Sequence, residues 1–396
     1  MTQAAFGQAL GEFLRHRGNP LALAREAARE APGSVRARLL VVCLMLCSRD
    51  VGDFEAAGWV FAGIQRMTKT PREEAHCTAV AAAIDGDYAR ACRIYDGILA
   101  VERTDALTLG VAQVFDYYLG NTAALKARSE NALAAWSPEL AHYHAVLSMH
   151  AFALEECGDY VEAEETARRA LELEPLDVRA HHAVAHVMEM QGRFEDGVRW
   201  MGARSAQWTG AGAASTHLWW HLALYHLELQ QPAQALAIYD LRIHQGESLS
   251  ELIDASALLW RLHLQEMNLE GRLAVLAARW APYAEDAHCA FNDLHAMMAF
   301  VAARRSDCAQ RLLAAQERRL AARWGANYDM TRLVGLPVCR ALAAFGHGDF
   351  ARAEALLRAL PPVAHRIGGS HAQRDVLQLT RAAAAQRRAR RWSRAA

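Results

Sequence analysis

The chain is 396 residues long, carries 43 basic against 44 acidic residues for a formal charge of −1, and is 53% hydrophobic. Near-neutrality excludes the one-sided basic face that a polynucleotide partner demands, and the length allows a large buried core. Only Lys69 and Lys126 are lysine, so the arginine excess reads as coding bias and not as a binding surface.

The opening stretch "MTQAAFGQALGEFLRHRG" has no basic region followed by an unbroken apolar run, and "ARLLVVCLMLC" at 37–47 is too short to span a bilayer. Neither an export signal nor a membrane partner is expected. The eight cysteines, Cys43, Cys47, Cys77, Cys92, Cys157, Cys289, Cys308 and Cys339, are scattered without a Cys-x-x-Cys pair. That usage predicts apolar fillers in a reducing cytoplasm.

From Gly52 onward a helix-to-helix turn recurs: "GDFEAAGWVFAGI" from Gly52, "GDYARACRIYDGI" from Gly86, a weaker "GNTAALKARSE" from Gly120, "GDYVEAEETARRAL" from Gly158 and "GRFEDGVRWM" from Gly192. These glycines are 34, 34, 38 and 34 residues apart, the tetratricopeptide period. With glycine as repeat position 15, position 17 is aromatic in Phe54, Tyr88, Tyr160 and Phe194. Position 20 is small in Ala57, Ala91, Ala163 and Gly197. Glycine makes the turn between helices A and B, the small residue lets them approach, and the aromatic fills the gap to the next repeat.

Further on, "HLWWHLALYHLELQQPAQALAIYDLRI" keeps Trp219, Ala223, Ala235 and Tyr239 at consensus positions, and "GDFARAEALLRAL" from Gly348 restores the pattern. Residues 240–335 read as helices without a clean register, and strand signals are absent. The expected fold is all-α: one right-handed α-solenoid with a helical cap at 1–33, repeats at 34–360, and a C-terminal helix at 361–396. The terminal "QRRARRWSRAA" reads as a solvated or frayed basic helix end.

In tetratricopeptide repeats generally, helix A positions 2, 5, 9, 12 and 13 line a concave groove. In "HHAVAHVMEMQG", His182, His186 and Glu189 take positions 5, 9 and 12, while His181 at position 4 packs inward. The next repeat puts His217 at position 2, Trp220 at 5 and His221 at 6. His-x3-His pairs stack two imidazoles on one helical face, so His182, His186, His217 and His221 are candidate ligands for a divalent metal. Glu189 is placed to act as general base or to fix a histidine tautomer. The pairs also admit a plain packing role, as do His142, His144 and His150 in "AHYHAVLSMH" and the aromatics Trp200, Trp208 and Trp260. In "GGSHAQRDV" a glycine pair precedes Arg374 and Asp375, readable as an anion site or as a helix cap. No nucleotide or nucleophile signature is present.

The stretches "HHAVAHVMEMQG", "HLWWHLALYHLE", "AIYDLRI", "DASALLWRL", "FNDLHAMMAF", "VGLPVCRAL" and "GGSHAQRDV" together resemble the tetratricopeptide repeat protein 38 family, also called StaR-like. The resemblance runs from the middle repeats to near the C-terminus and touches the first 80 or so residues little. It implies a shared polar set: His182, His186, Glu189, His217, His221, Asn292, Asp293, His295, Gly369, Gln373, Arg374 and Asp375. It implies no reaction, because family members are named for the repeat.

Two functions follow as expectations. In the first, the groove binds a peptide, a protein segment or a small molecule, with His182, His217, Trp220, Asn292, Gly369, Gln373, Arg374 and Asp375 as ligand contacts. In the second, the solenoid curls so that His182, His186, Glu189, His217, His221, His295 and Arg374 line one catalytic pocket of hydrolase or lyase type. There His186, Glu189, His221, Asp293 and His295 are the catalytic candidates, and a divalent metal is the one cofactor considered.

Overall fold

A computed structural model describes residues 2–323 and 325–395 of the chain. These form two compact units, one ending at Leu229 and the other beginning at Gln230. Among the described residues every regular element is helical, and no helix is long and apolar enough to cross a membrane. No disulfide links the cysteines.

The first unit opens with the hairpin α1 (Thr2–Arg15) and α2 (Pro20–Glu30). Five A/B pairs follow: α3 (Val35–Leu46) with α4 (Val51–Gln65), α5 (Pro71–Ile84) with α6 (Tyr88–Val101), α7 (Ala106–Leu119) with α8 (Thr122–Leu133), α9 (Tyr143–Glu156) with α10 (Tyr160–Leu173), and α11 (Val178–Met190) with α12 (Phe194–Trp208). The unit ends on α13 (Ala213–Glu228). Short polar side chains start these helices: Ser34, Thr70, Asp105 and Asp177 each accept a first-turn backbone N–H, and Thr70 and Glu73 form a reciprocal box.

Gly86, Gly120, Gly158 and Gly192 adopt left-handed φ of 67° to 88° at the A-to-B turns. The repeat is therefore of tetratricopeptide type. Gly52 departs from this register. It lies inside α4, and the left-handed turn falls three residues earlier on Arg49, with φ of 61°. The cause is Asp50, whose carboxylate accepts from the N–H of Gly52 and Asp53 and so starts the helix before the glycine.

Close approach at position 20 is sharpest at Gly197. A Cβ there would stand 2.5 Å from the ring of Tyr225, which is held by donating its hydroxyl to the Ala185 carbonyl at 2.6 Å. Gly197→Ala gains about 1 kcal/mol of helix propensity but drives a methyl into an anchored ring, an overpacking cost of about 1–3 kcal/mol. A net loss of stability is expected in denaturant unfolding, and a stabilised variant would refute this packing.

The concave side of the first unit, which the sequence left open to a ligand, carries the chain's own first helix. α1 lies against the A helices α3, α7 and α11 and buries Phe6, Leu10, Phe13 and Leu14. Gly110 on α7 makes room for it, since a Cβ there would meet Phe13 at 2.9 Å and Leu14 at 3.1 Å. Arg179 of α11 donates to the Leu14 carbonyl and to His16, and Gly18 N–H donates to the Ala211 carbonyl at 3.1 Å. Residues 2–15 are thus a filler of the groove and not only a cap at its end.

The second unit contains α14 (Pro232–Ile238), α15 (Leu249–Leu264), α16 (Glu270–Trp280), α17 (Ala290–Ala302), α18 (Ser306–Ala321), α19 (Ala326–Met330), α20 (Leu336–Gly346), α21 (Phe350–Arg358), α22 (His371–Arg374) and α23 (Val376–Ala395). π-helical turns at Tyr239–Ile243 and Thr331–Gly335 interrupt the regular register. Its core holds Trp260, Trp280, Phe291 and Phe300. The basic tail is a largely solvated helix end, tethered by its arginines: Arg387 lies over the Phe345 ring, Arg388 pairs with Glu354 and Arg390 with Glu266.

Candidate functional site

Helix starts bring the two His-x3-His pairs together. His182 and His186 are the fifth and ninth residues of α11, and His217 and His221 the fifth and ninth of α13. Because α11 and α13 lie side by side, the pairs face each other rung by rung. His182 Nε2 and His217 Nε2 are 3.0 Å apart, and the His186 and His221 ring centroids are 4.5 Å apart. One ligand atom from each of the four residues falls within 4.8 Å of the others. His186 and His221 are fully buried, while His182 and His217 are half-buried at the edge.

Carboxylates stand behind the imidazoles. His221 Nδ1 donates to Glu189 at 2.7 Å, which leaves Nε2 as the nitrogen available to a metal. His186 Nδ1 stands 3.5 Å from Glu155, whose side chain is fully buried. Trp220 is buried and stacks on His217 at 5.2 Å. His181 points the other way and donates to the Pro175 carbonyl at 2.9 Å. His150 and His144 are engaged by Ser129 and Asp177, the packing role expected for them.

Burial, followed by repulsion from His186, His217, His221 and His16, holds His182 well below its ordinary pKa. His16, His142, His150 and His181 are lowered as well, each chiefly by burial. At His186 burial pulls downward, but Glu155 overrides it and the pKa is raised. A histidine neutral in the fold but protonated in the unfolded chain below about pH 6.5 makes the unfolded state bind more protons, so stability is lost as pH falls. His186 acts oppositely, losing its contribution as pH rises through its raised value. Asp293, a carboxyl raised to about 7 by burial, also gains stability as pH falls, but the five lowered histidines outnumber these two groups. The denaturation midpoint of metal-free protein is therefore expected to drop between about pH 7 and about pH 5, and an unchanged or higher midpoint would contradict these environments.

Two participants escaped sequence reasoning. Glu155 sits 34 residues before Glu189 at the same repeat position, so the register itself marked it, although attention to histidines passed it by. His16 carries no repeat signal. It reaches the vicinity of His217 only because α1 occupies the concave side, where Arg179 donates to it.

Asn292, Asp293, His295, Gly369, Gln373, Arg374 and Asp375 belong to the second unit. Asp293 and His295, two apart on one helix, point to different sides and meet different neighbours. Asp293 is buried and accepts from Gln316 at 2.9 Å; burial pushes its carboxyl up to about 7. His295 Nδ1 donates to the Phe291 carbonyl one turn back at 2.7 Å. Asn292 is half-buried on the same helix. Gly369, with φ of 78°, lets the Phe291 ring approach so closely that a Cβ would stand 2.5 Å from it. Ser370 and Gln373 form a capping box, Arg374 turns back onto the Gly369 carbonyl, and Asp375 pairs with Arg261. This segment is a helix start packed against α15 and α17, with the Arg374 guanidinium donating to the Gly369 carbonyl.

Fold and cluster together define an all-α helical-repeat protein of tetratricopeptide type with a four-histidine centre in its first unit. No family model matches the sequence. Among solved structures, the chain is similar to one in the crystal structure of the APC/C hetero-tetramer Cut9-Hcn1, with a TM-score of 0.39 and 14% identity. The likeness covers 87% of this chain and 62% of that one, so the chain spans less than two thirds of its length.

Proposed function

We propose that this protein binds a divalent transition metal at His182, His186, His217 and His221 and presents it to a small ligand. The observation that carries the reading is the convergence of four imidazoles within 4.8 Å, with Glu189 bonded behind one of them. Zinc–nitrogen bonds of about 2.0–2.1 Å put tetrahedral ligand nitrogens roughly 3.4 Å apart, near the 3.0 Å between His182 Nε2 and His217 Nε2. An all-imidazole set favours zinc, copper, nickel or iron over magnesium or calcium. Neutral imidazoles are the ligating form, and burial keeps His182 neutral. A small ligand suits the site better than a peptide, since a peptide along this groove would have to displace α1.

The same residues support placing the chain in the tetratricopeptide repeat protein 38 family and in the cytoplasm, where unpaired thiols persist. Contact with other proteins through outer helix faces is in keeping with the repeat class. If the centre is catalytic, metal-activated water is the chemistry that imidazole-held zinc supplies. Elemental analysis of untagged protein tests the reading: at least one equivalent of transition metal is expected. No metal as purified, together with no uptake on zinc titration, would overturn it.

A further inference from the structure

We propose that Glu155, Glu156 and His186 hold a second divalent cation beside the histidine cluster, making the centre dinuclear. The inference rests on the metal-binding reading and extends it to the floor of the site. The end of α9 carries both glutamates and meets α11 at His186, and one ligand atom from each of the three lies within 4.8 Å of the others. All three are buried: Glu155 and His186 are fully inaccessible and Glu156 is 5% exposed.

The polar atoms of Glu155 and His186 are not hydrogen-bonded by protein. Neither carboxylate oxygen of Glu155 and neither ring nitrogen of His186 makes a hydrogen bond, and their closest approach is the 3.5 Å ion-pair contact. Burying an ionised carboxylate without hydrogen bonds is costly, and a buried ion pair offsets that cost only when its remaining lone pairs are satisfied. A divalent cation bound by Glu155, Glu156 and the His186 ring neutralises the Glu155 carboxylate and takes up the lone pairs that Glu155 and His186 leave unmet.

Sharing the ligands this way also gives each ion a sensible set. With both ions bound, His186 turns from the four-histidine set to the second ion, and His182, His217 and His221 hold the first, a three-imidazole arrangement of the kind that leaves a coordination position open. The second ion receives a mixed carboxylate and imidazole set, as zinc, cobalt, manganese and iron accept. Two-metal sites with ions about 3.5–4 Å apart clamp an oxygen between them.

The test is reconstitution of the metal-free full-length chain with Co2+, followed by elemental stoichiometry and visible absorption. Wild type is expected to saturate at about two equivalents, Glu155→Gln at about one with the histidine-site spectrum kept, and His217→Ala to lose that spectrum. Wild type saturating at about one equivalent, unchanged by Glu155→Gln, would overturn the second site and leave His186 and Glu155 as a buried ion pair. No Co2+ uptake by wild type would overturn both readings together. Because removing a buried charge can impair folding, Glu156→Gln and the wild-type stoichiometry provide the same decision independently.

Discussion

Replacing His217 with alanine is expected to weaken metal binding by more than about 100-fold while the repeat fold survives. The side chain is half-buried, stacks on the face of Trp220 and approaches His182 Nε2, so its removal opens no core cavity. Outer-shell partners of a ligating histidine are worth about 10–100-fold in affinity, so Glu189→Gln should fall within that range and loss of a ligand should exceed it. His186→Ala and His221→Ala are poorer tests, because both side chains are fully buried and their loss mixes ligation with packing. Competition against a chromophoric chelator gives the affinities, and far-UV circular dichroism gives the fold. Equal affinity in His217→Ala and wild type would remove His217 from the site.

Leu14→Ala is expected to destabilise the first unit by about 2–5 kcal/mol, the cost of a large-to-small change at a sealed core position. Leu14 is 1% exposed, packs over Gly110, and its carbonyl accepts from Arg179 of α11. The same substitution on a mere end cap would cost less, since a cap touches only its neighbouring repeat. Chemical denaturation followed by intrinsic fluorescence measures the difference. A loss below about 1 kcal/mol would mean that α1 is peripheral to the groove, against the burial of Phe6, Leu10, Phe13 and Leu14 together.

The middle repeats were legible because three features coincide at fixed spacing: a left-handed glycine, an aromatic two residues on and a small residue three further. Gly86, Gly158 and Gly192 occupy the turns so expected. Gly52 misled because a capping aspartate three residues upstream of Asp53 started the helix first, and capping outweighed the glycine's freedom. The histidine pairs were legible as faces turned toward one concavity, but their rung-by-rung approach depends on where α13 begins, and no repeat glycine marks that point. The place of α1 was not legible at all. Its apolar face looks the same whether it covers the end of a solenoid or lies along its inner side.

The polar residues of the second unit teach the opposite lesson. Gly369, Gln373, Arg374 and Asp375 attracted a ligand-binding reading by their composition, yet glycine, serine and glutamine before a helix are equally the materials of a cap. Local geometry shows the cap. Ser370 and Gln373 bond each other's backbone N–H groups, and Asp375 is matched by Arg261. Asp293 and His295, adjacent in sequence terms, were separated by the helix that carries them.

Metal content of full-length protein, purified without an affinity tag and compared with His182→Ala and His217→Ala, tests the central claim most directly. The four-histidine centre predicts a divalent transition metal bound stoichiometrically by wild type and depleted in both variants. Metal-free wild type that takes up no zinc on titration, with both variants indistinguishable from it, would contradict the account.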